Sequence, residues 1–280
     1  MDNSMKSTVE PSIPVLDFSG GSWSNLIEIA ESNRDAYIKQ EPFPYVVLDG
    51  VFPIELLEAV LKEVESTNFN DKKDFYGSIL KRTENDIMNM GPATRRFIGD
   101  LNSRNFCTFL EKLTGIESLV PDPYLEGGGL HNTKKGGFLK IHTDFNWNSK
   151  LKLNRRINVI LYLNKNWETS WGGGLQLWEK DMSRKAVEVE PAFNRMVIFN
   201  TSDYSYHGHP DKLACPETNS RKSIAMYYYT NGRPECEIKY GRTTDTNYQK
   251  RPGEVFNEGN VLINIKRFLR INLERFFSRK

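Results

Sequence analysis

After Pro121 the chain runs in short β-forming segments broken by glycines, and this texture limits its fold more than any other feature. The segments are 137–143, 156–163, 174–179, 186–190, 195–200, 204–208 and 221–230. Gly127-Gly128-Gly129, Gly136-Gly137 and Gly172-Gly173-Gly174 punctuate them. Strands in this number, with no helical period between them, predict a jelly roll or barrel rather than a βαβ sheet. Helical spacing comes earlier. Residues 24–39 and 53–66 read as helices, the second with Ile54, Leu57, Val60, Leu61 and Val64 recurring at helical spacing. A short strand, 44–48, lies between them, and a helix over 102–113 is stopped by Thr114-Gly115. Residues 68–95 are polar and read as a long loop, with Asp71–Gly77 a candidate lid. Helices before strands imply an α+β class, the helices bracing one face of the sheet. Residues 1–120 are therefore a support region of the same domain, 121–235 its core, and 236–280 a C-terminal extension.

The chain has 280 residues, 38% hydrophobic and 26% charged, which suits a folded globular protein. No apolar run is long enough for a transmembrane helix, and Met1–Pro11 lacks the apolar core of a signal peptide. Cys107, Cys215 and Cys236 stand far apart, which argues against a disulfide framework or structural zinc and for a cytoplasmic setting. The net charge of +2 is unevenly placed. Residues 261–280 hold six Lys/Arg against one acid, Glu274, so the rest of the chain is mildly acidic. That argues against a nucleic-acid partner. In the tail, Val261, Leu262, Ile265, Phe268, Leu269, Leu273 and Phe276 recur at helical spacing. A basic amphipathic helix of this kind suits peripheral contact with a membrane, or packing on the body or on a second subunit.

Four histidines exist: His131, His142, His207 and His209. His142 and Asp144 close one β segment at positions i and i+2, so they face the same side. An imidazole from His207, on a later strand, completes two histidines and a carboxylate on one face of an octahedron. Three positions stay open, as non-haem iron(II) chemistry requires. A lone HxD is a weak signal, equally read as a surface histidine beside an acid or as part of a zinc site with three ligands and a water. Arg221 changes the balance. By alternation Arg221, Ser223, Ala225 and Tyr227 share a face, and an arginine inside a barrel is costly unless it meets an anion. A dicarboxylate fits, its far carboxylate taken by the guanidinium fork, with Ser223 as a further donor. Tyr162 is another donor from a neighbouring strand, or a packing residue.

In this order and spacing the pieces resemble the prolyl-4-hydroxylase-like branch of the iron(II)/2-oxoglutarate-dependent oxygenases. The likeness covers about Pro121 to Thr230, and more loosely reaches back to Pro42. Gly137-Phe138-Leu139-Lys140-Ile141-His142-Thr143-Asp144 matches the family's metal-binding strand. Leu161-Tyr162-Leu163-Asn164 with Trp167, then Gly173-Gly174 and Leu177, match its middle strands. Glu190-Pro191, Phe193, Arg195 and Asn200 lead to Ser205 and His207, and Arg221 with Ser223 closes the set. The resemblance implies a double-stranded β-helix holding iron(II) on His142, Asp144 and His207. It implies 2-oxoglutarate held by Arg221, Ser223 and Tyr162, and O2 as co-substrate, with ascorbate a further candidate. The reaction implied is hydroxylation of an unactivated C–H bond, or a related desaturation or epimerisation, with release of succinate and CO2. Asp144 disfavours halogenation, because related halogenases replace this carboxylate with a small residue.

Two features depart from the pattern. The stretch Asp211–Ser220 lengthens the gap between His207 and Arg221, and His209 stands where the family often has an apolar residue. His209 is then a supporting, substrate-facing or structural group. For substrate, His131, Asn132, Asn146, Trp147, Arg156, Asn158 and Tyr227 are the candidates. Each has a plain alternative: a turn cap for His131, a solvated strand end for Arg156, core packing for Tyr227. They point to a polar small-molecule or peptidyl substrate. The competing functions are a catalytically silent jelly-roll binding protein and a zinc hydrolase on a similar barrel.

Overall fold

The computed structural model describes residues 21–69, 74 and 77–254; the basic segment 261–280, with its expected helix, lies outside the described residues. In chain order the described elements are α1 (Gly21–Lys39), β1 (Tyr45–Asp49), α2 (Ile54–Ser66), β2 (Ser78–Glu84), α3 (Pro92–Leu101), α4 (Arg104–Thr114), β3 (Val120–Pro121) and β4 (Gly129–Thr143). There follow β5 (Trp147–Asn148), β6 (Leu153–Tyr162), β7 (Leu175–Trp178), β8 (Lys185–Val189), β9 (Arg195–Asn200), β10 (His207–His209), β11 (Ser220–Thr230) and β12 (Asn247–Tyr248).

Local chemistry explains the helix ends. Pro92 occupies the first turn of α3, where its missing N–H costs nothing. The Ser103 hydroxyl caps α4 by accepting from the Phe106 N–H. Gly115, left-handed at φ 73°, ends it. Gly91 precedes α3 without a capping side chain, and Glu63 of α2 supplies one instead. Its carboxylate accepts from the Ala93 and Thr94 N–H groups at 3.0 and 2.7 Å, and from the Thr94 hydroxyl at 2.7 Å.

The strands pair in the order β1-β9-β6-β11-β4-β10-β7-β8, all antiparallel, with β2 and β12 also on β4. This is the nearly closed jelly roll that the strand pattern predicts. Long β4 belongs to both halves: its start pairs with β11 and its end with β10. Alternation along β6, β9 and β11 separates two layers. Ile157, Val159, Leu161, Ile198, Ile224, Met226 and Tyr228 pack against helical residues such as Tyr37, Leu57, Val60, Phe97, Phe106 and Leu110. Each such aliphatic side chain taken fully out of water contributes roughly 1.5–3 kcal/mol. The opposite face, with Tyr162, Val197 and Phe199, packs on Phe43, Leu175, Leu177 and Val189 inside the roll.

One expectation needs correction. Residues 68–95 are not a single loop: β2 pairs with β4, and α3 packs against α2. Ser78, Lys81 and Thr83 of β2 help to wall a cavity. No helix among the described residues is long and apolar enough to cross a membrane.

Candidate metal centre

The cavity lies inside the roll, measures about 230 Å³, and gathers His142, Asp144, His207, Arg221 and Ser223. His142 near the end of β4 stands opposite His207 at the start of β10, which sets their rings 4.4 Å apart. The ligand atoms of His142, Asp144 and His207 all lie within 4.8 Å of one another. His142 Nε2 is 3.5 Å from one Asp144 oxygen, and His207 Nε2 is 3.4 Å from the other. Ligands at about 2.1 Å on adjacent octahedral corners stand about 3 Å apart, so the spacing fits one ion at the centre.

The tautomers also fit. His142 Nδ1 lies 2.8 Å from the Lys140 carbonyl and His207 Nδ1 2.9 Å from the Ser205 carbonyl. A carbonyl only accepts, so each Nδ1 carries the proton and each Nε2 keeps its lone pair for a metal. Burial, the largest influence, pushes the His207 imidazole down to about 4, which leaves it neutral at ordinary pH. For Asp144 burial raises the pKa, but Arg155 first, then His207, outweigh it and hold the carboxyl well below its usual range.

Arg155 went unpredicted, and a bulge explains why. On β11, Tyr228 pairs with Ile157 but Tyr229 pairs with Arg155, so Arg156 is an extra residue on β6. Beyond the bulge the alternation shifts by one. Arg155, not Arg156, takes the cavity side and donates from Nη2 to Asp144 Oδ2 at 3.0 Å. Asn158 donates to the same oxygen at 2.7 Å. The guanidinium also lies over the Tyr227 ring, 3.3 Å from its centroid, and 4.6 Å from that of Phe145.

At the other end, Arg221 is buried, donating from Nε to the Gly173 carbonyl at 2.7 Å and from Nη2 to the Tyr162 hydroxyl at 3.1 Å. Among the described residues no carboxylate pairs with it. Leaving a buried charge without its counter-charge costs roughly 3–5 kcal/mol, more than two neutral hydrogen bonds return at about 1 kcal/mol each. The arrangement therefore suits an anionic ligand. Tyr162, fully buried and off the cavity wall, acts by holding Arg221.

The other expected residues divide. His131, Asn158 and Tyr227 line the cavity, where Asn158 holds Asp144 and the Tyr227 hydroxyl donates to the Gly127 carbonyl. His209 lines it too. Asn132, Asn146, Trp147 and Arg156 do not. Asn132 follows His131 on β4, and alternation turns it to the opposite face. Asn146 bonds Asp203, the Gly241 carbonyl and the Thr243 N–H, so it ties a loop to the roll. Trp147 lies under the Arg242 guanidinium, and Arg156 pairs with Glu237.

Comparison with known proteins agrees with this geometry. Residues 128–229 match the model of the 2OG-Fe(II) oxygenase superfamily. The chain is 27% identical over 204 residues to prolyl 3-hydroxylase OGFOD1 of Mus musculus, a match covering 71% of this chain. It covers 35% of that relative, about a third of its length. Among solved structures, the prolyl hydroxylase from Trichoplax adhaerens, in complex with a hypoxia inducible factor oxygen degradation domain peptide, aligns with a TM-score of 0.55 and 15% identity. That alignment covers 76% of this chain and 96% of that one. HygX from Streptomyces hygroscopicus, with nickel and 2-oxoglutarate bound, aligns with a TM-score of 0.50 and 13% identity over 77% of this chain and 96% of that one. At these identities the structural likeness concerns the fold.

Proposed function

We propose that the chain is a member of the 2OG-Fe(II) oxygenase superfamily, whose model its residues 128–229 match, and that it is a hydroxylase acting on an unactivated C–H bond. Iron(II) with 2-oxoglutarate supplies the oxidising power when bound: O2 splits the co-substrate to succinate and CO2 and places one oxygen atom in the substrate. The carrying observation is the pairing of the His142, Asp144 and His207 donor set with buried Arg221 in one cavity. A silent binding protein has no need of the complete set, and a zinc hydrolase has no use for Arg221 and Ser223.

Each residue has a stated task. His142 and His207 present Nε2 lone pairs, and Asp144 keeps Oδ1 for the ion while Arg155 and Asn158 hold Oδ2. Arg221 and Ser223 take the far carboxylate of the diacid, with Tyr162 fixing the guanidinium. The roll around them excludes water from the oxidising centre. For the substrate we favour a peptidyl segment over a free small molecule, because the mouse relative is a prolyl 3-hydroxylase and the Trichoplax neighbour holds a peptide. Phe145 and Tyr227 beside the metal ligands would form the apolar wall for such a segment.

The test is aerobic incubation with iron(II), 2-oxoglutarate and a peptide library under 18O2. A peptide heavier by one 18O atom, formed together with succinate, supports the reading. Succinate that rises in step with no peptide or small-molecule product overturns the hydroxylase assignment.

A further inference from the structure

Two side chains of the cavity hold buried polar atoms without a partner, the Thr83 hydroxyl and the imidazole of His209, and only in His209 are two such atoms unanswered. It is 3% exposed, and neither ring nitrogen has a hydrogen-bond partner. A buried polar group left this way keeps its full desolvation cost, so a well-packed strand should not carry one without a reason. Its position is built, not incidental. His207 and His209 stand at i and i+2 on β10, and the register on β4 shifts between them. The residue between is Gly208, and any Cβ there would meet the Lys140 and Leu139 carbonyl oxygens at 2.7 and 2.8 Å. Glycine thus lets β10 lie close on β4 with both imidazoles reaching the cavity.

The surroundings say what is missing. The register places His209: His207 pairs with His142, whereas His209 pairs with Leu139, three residues nearer the stretch of β4 where Thr133 stands between Arg221 of β11 and Lys81 of β2. It therefore belongs to the Arg221 end of the cavity more than to the metal end. Every form of the ring carries an N–H that needs an acceptor. Arg221 and Lys81 offer donors only. The absent partner is an acceptor, and one that tolerates two cations beside it: a carboxylate.

We propose that His209 is a co-substrate-binding residue, donating to the far carboxylate of 2-oxoglutarate beside Arg221. The inference rests on the proposed function and refines it. It makes the far-carboxylate site a two-residue grip, and it makes diacid selectivity the property that His209 controls.

Two ligands isolate this property: 2-oxoglutarate, and 2-oxobutyrate, which keeps the 2-oxo acid and lacks the far carboxylate. Affinities are measured anaerobically by calorimetry on the manganese(II)-loaded full chain, wild type against His209→Val and His209→Asn. His209→Val should weaken 2-oxoglutarate about tenfold or more, leave 2-oxobutyrate and manganese affinity unchanged, and so shrink the preference by the same factor. His209→Asn, which keeps a donor, should recover part of it. An unchanged preference in His209→Val overturns the inference, since the missing partner is then not the far carboxylate. Wild-type protein that binds manganese but no 2-oxoglutarate overturns the proposed function as well, a separate outcome. Should His209→Val fail to fold, 15N-histidine-labelled wild type loaded with zinc(II) decides. The ring of His209 should shift on addition of 2-oxoglutarate and stay in place with 2-oxobutyrate; equal response to both overturns the proposal.

Discussion

Arg155 and Asp144 are eleven positions apart in sequence, yet the guanidinium of one lies 3.0 Å from the carboxylate of the other, with the arginine side chain 1% exposed. The contact fixes the orientation of the ligating carboxylate and keeps it ionised in a site where burial alone favours its neutral form. Arg155→Ala should therefore weaken metal binding about 10–100-fold, the usual cost of losing a residue that orients a ligand. Arg156→Ala, one residue away on the far side of the bulge, should leave metal affinity unchanged. Anaerobic manganese(II) titration of both variants distinguishes them, and equal losses contradict the assignment.

Tyr162 acts through Arg221. Tyr162→Phe keeps the ring and removes the hydroxyl that Arg221 Nη2 donates to. A bond of this kind is worth about 1 kcal/mol, so 2-oxoglutarate should bind roughly fivefold more weakly while manganese binding is unaffected. Calorimetry with the metal-loaded protein measures both. A loss of metal affinity instead shows that the hydroxyl supports the roll rather than the guanidinium.

The jelly roll and the cluster of His142, Asp144 and His207 were legible because their signals are local. Short strand runs with glycine breaks, and a histidine and an aspartate two positions apart, need no knowledge of the rest of the chain. Arg221 was legible because alternation along β11 holds from Arg221 to Tyr227, and both Ser223 and Tyr227 share its cavity face. On β6 the same rule chose Arg156 over Arg155, because a bulge is defined by the register of the neighbouring strand. Strand β2 was missed for a related reason. Its seven residues carry two basic groups and a glutamate, and only pairing with β4 beside the cavity makes such a segment a strand. Asn146 was misplaced because its partners, Asp203, Gly241 and Thr243, are distant in sequence.

Acid should destabilise the metal-free protein earlier than ordinary carboxylates require. Burial above all pushes the His207 ring down to about 4; burial, with Arg221 and Lys81, holds His209 well below its ordinary value. In the unfolded chain both rings take up a proton near pH 6.5. Between pH 6.5 and about 4 the unfolded state binds more protons, so stability is full above 6.5 and falls as the pH drops. Each ring contributes a slope of at most about 1.4 kcal/mol per pH unit. Urea unfolding across this range should show the fall, and His207→Gln should remove one ring's share; a flat wild-type profile contradicts the buried neutral state.

Glu63 joins α2 to α3 by capping a helix other than its own. Glu63→Ala leaves two backbone donors unanswered and should cost about 1–2 kcal/mol, the range of a lost helix cap. Urea denaturation measures it. Loss of less than half that range implies that water replaces the carboxylate at no cost.

On the proposed function, one ion and one diacid share the cavity between His142 and Arg221. Anaerobic addition of iron(II) and 2-oxoglutarate tests it most directly, through the weak visible absorption of a metal chelated by a 2-oxo acid. Wild type should develop the band, His142→Ala should lose it, and Arg221→Ala should require far more 2-oxoglutarate to reach it. A wild-type protein that binds iron(II) without the band, or a His142→Ala protein that keeps it, contradicts the claim.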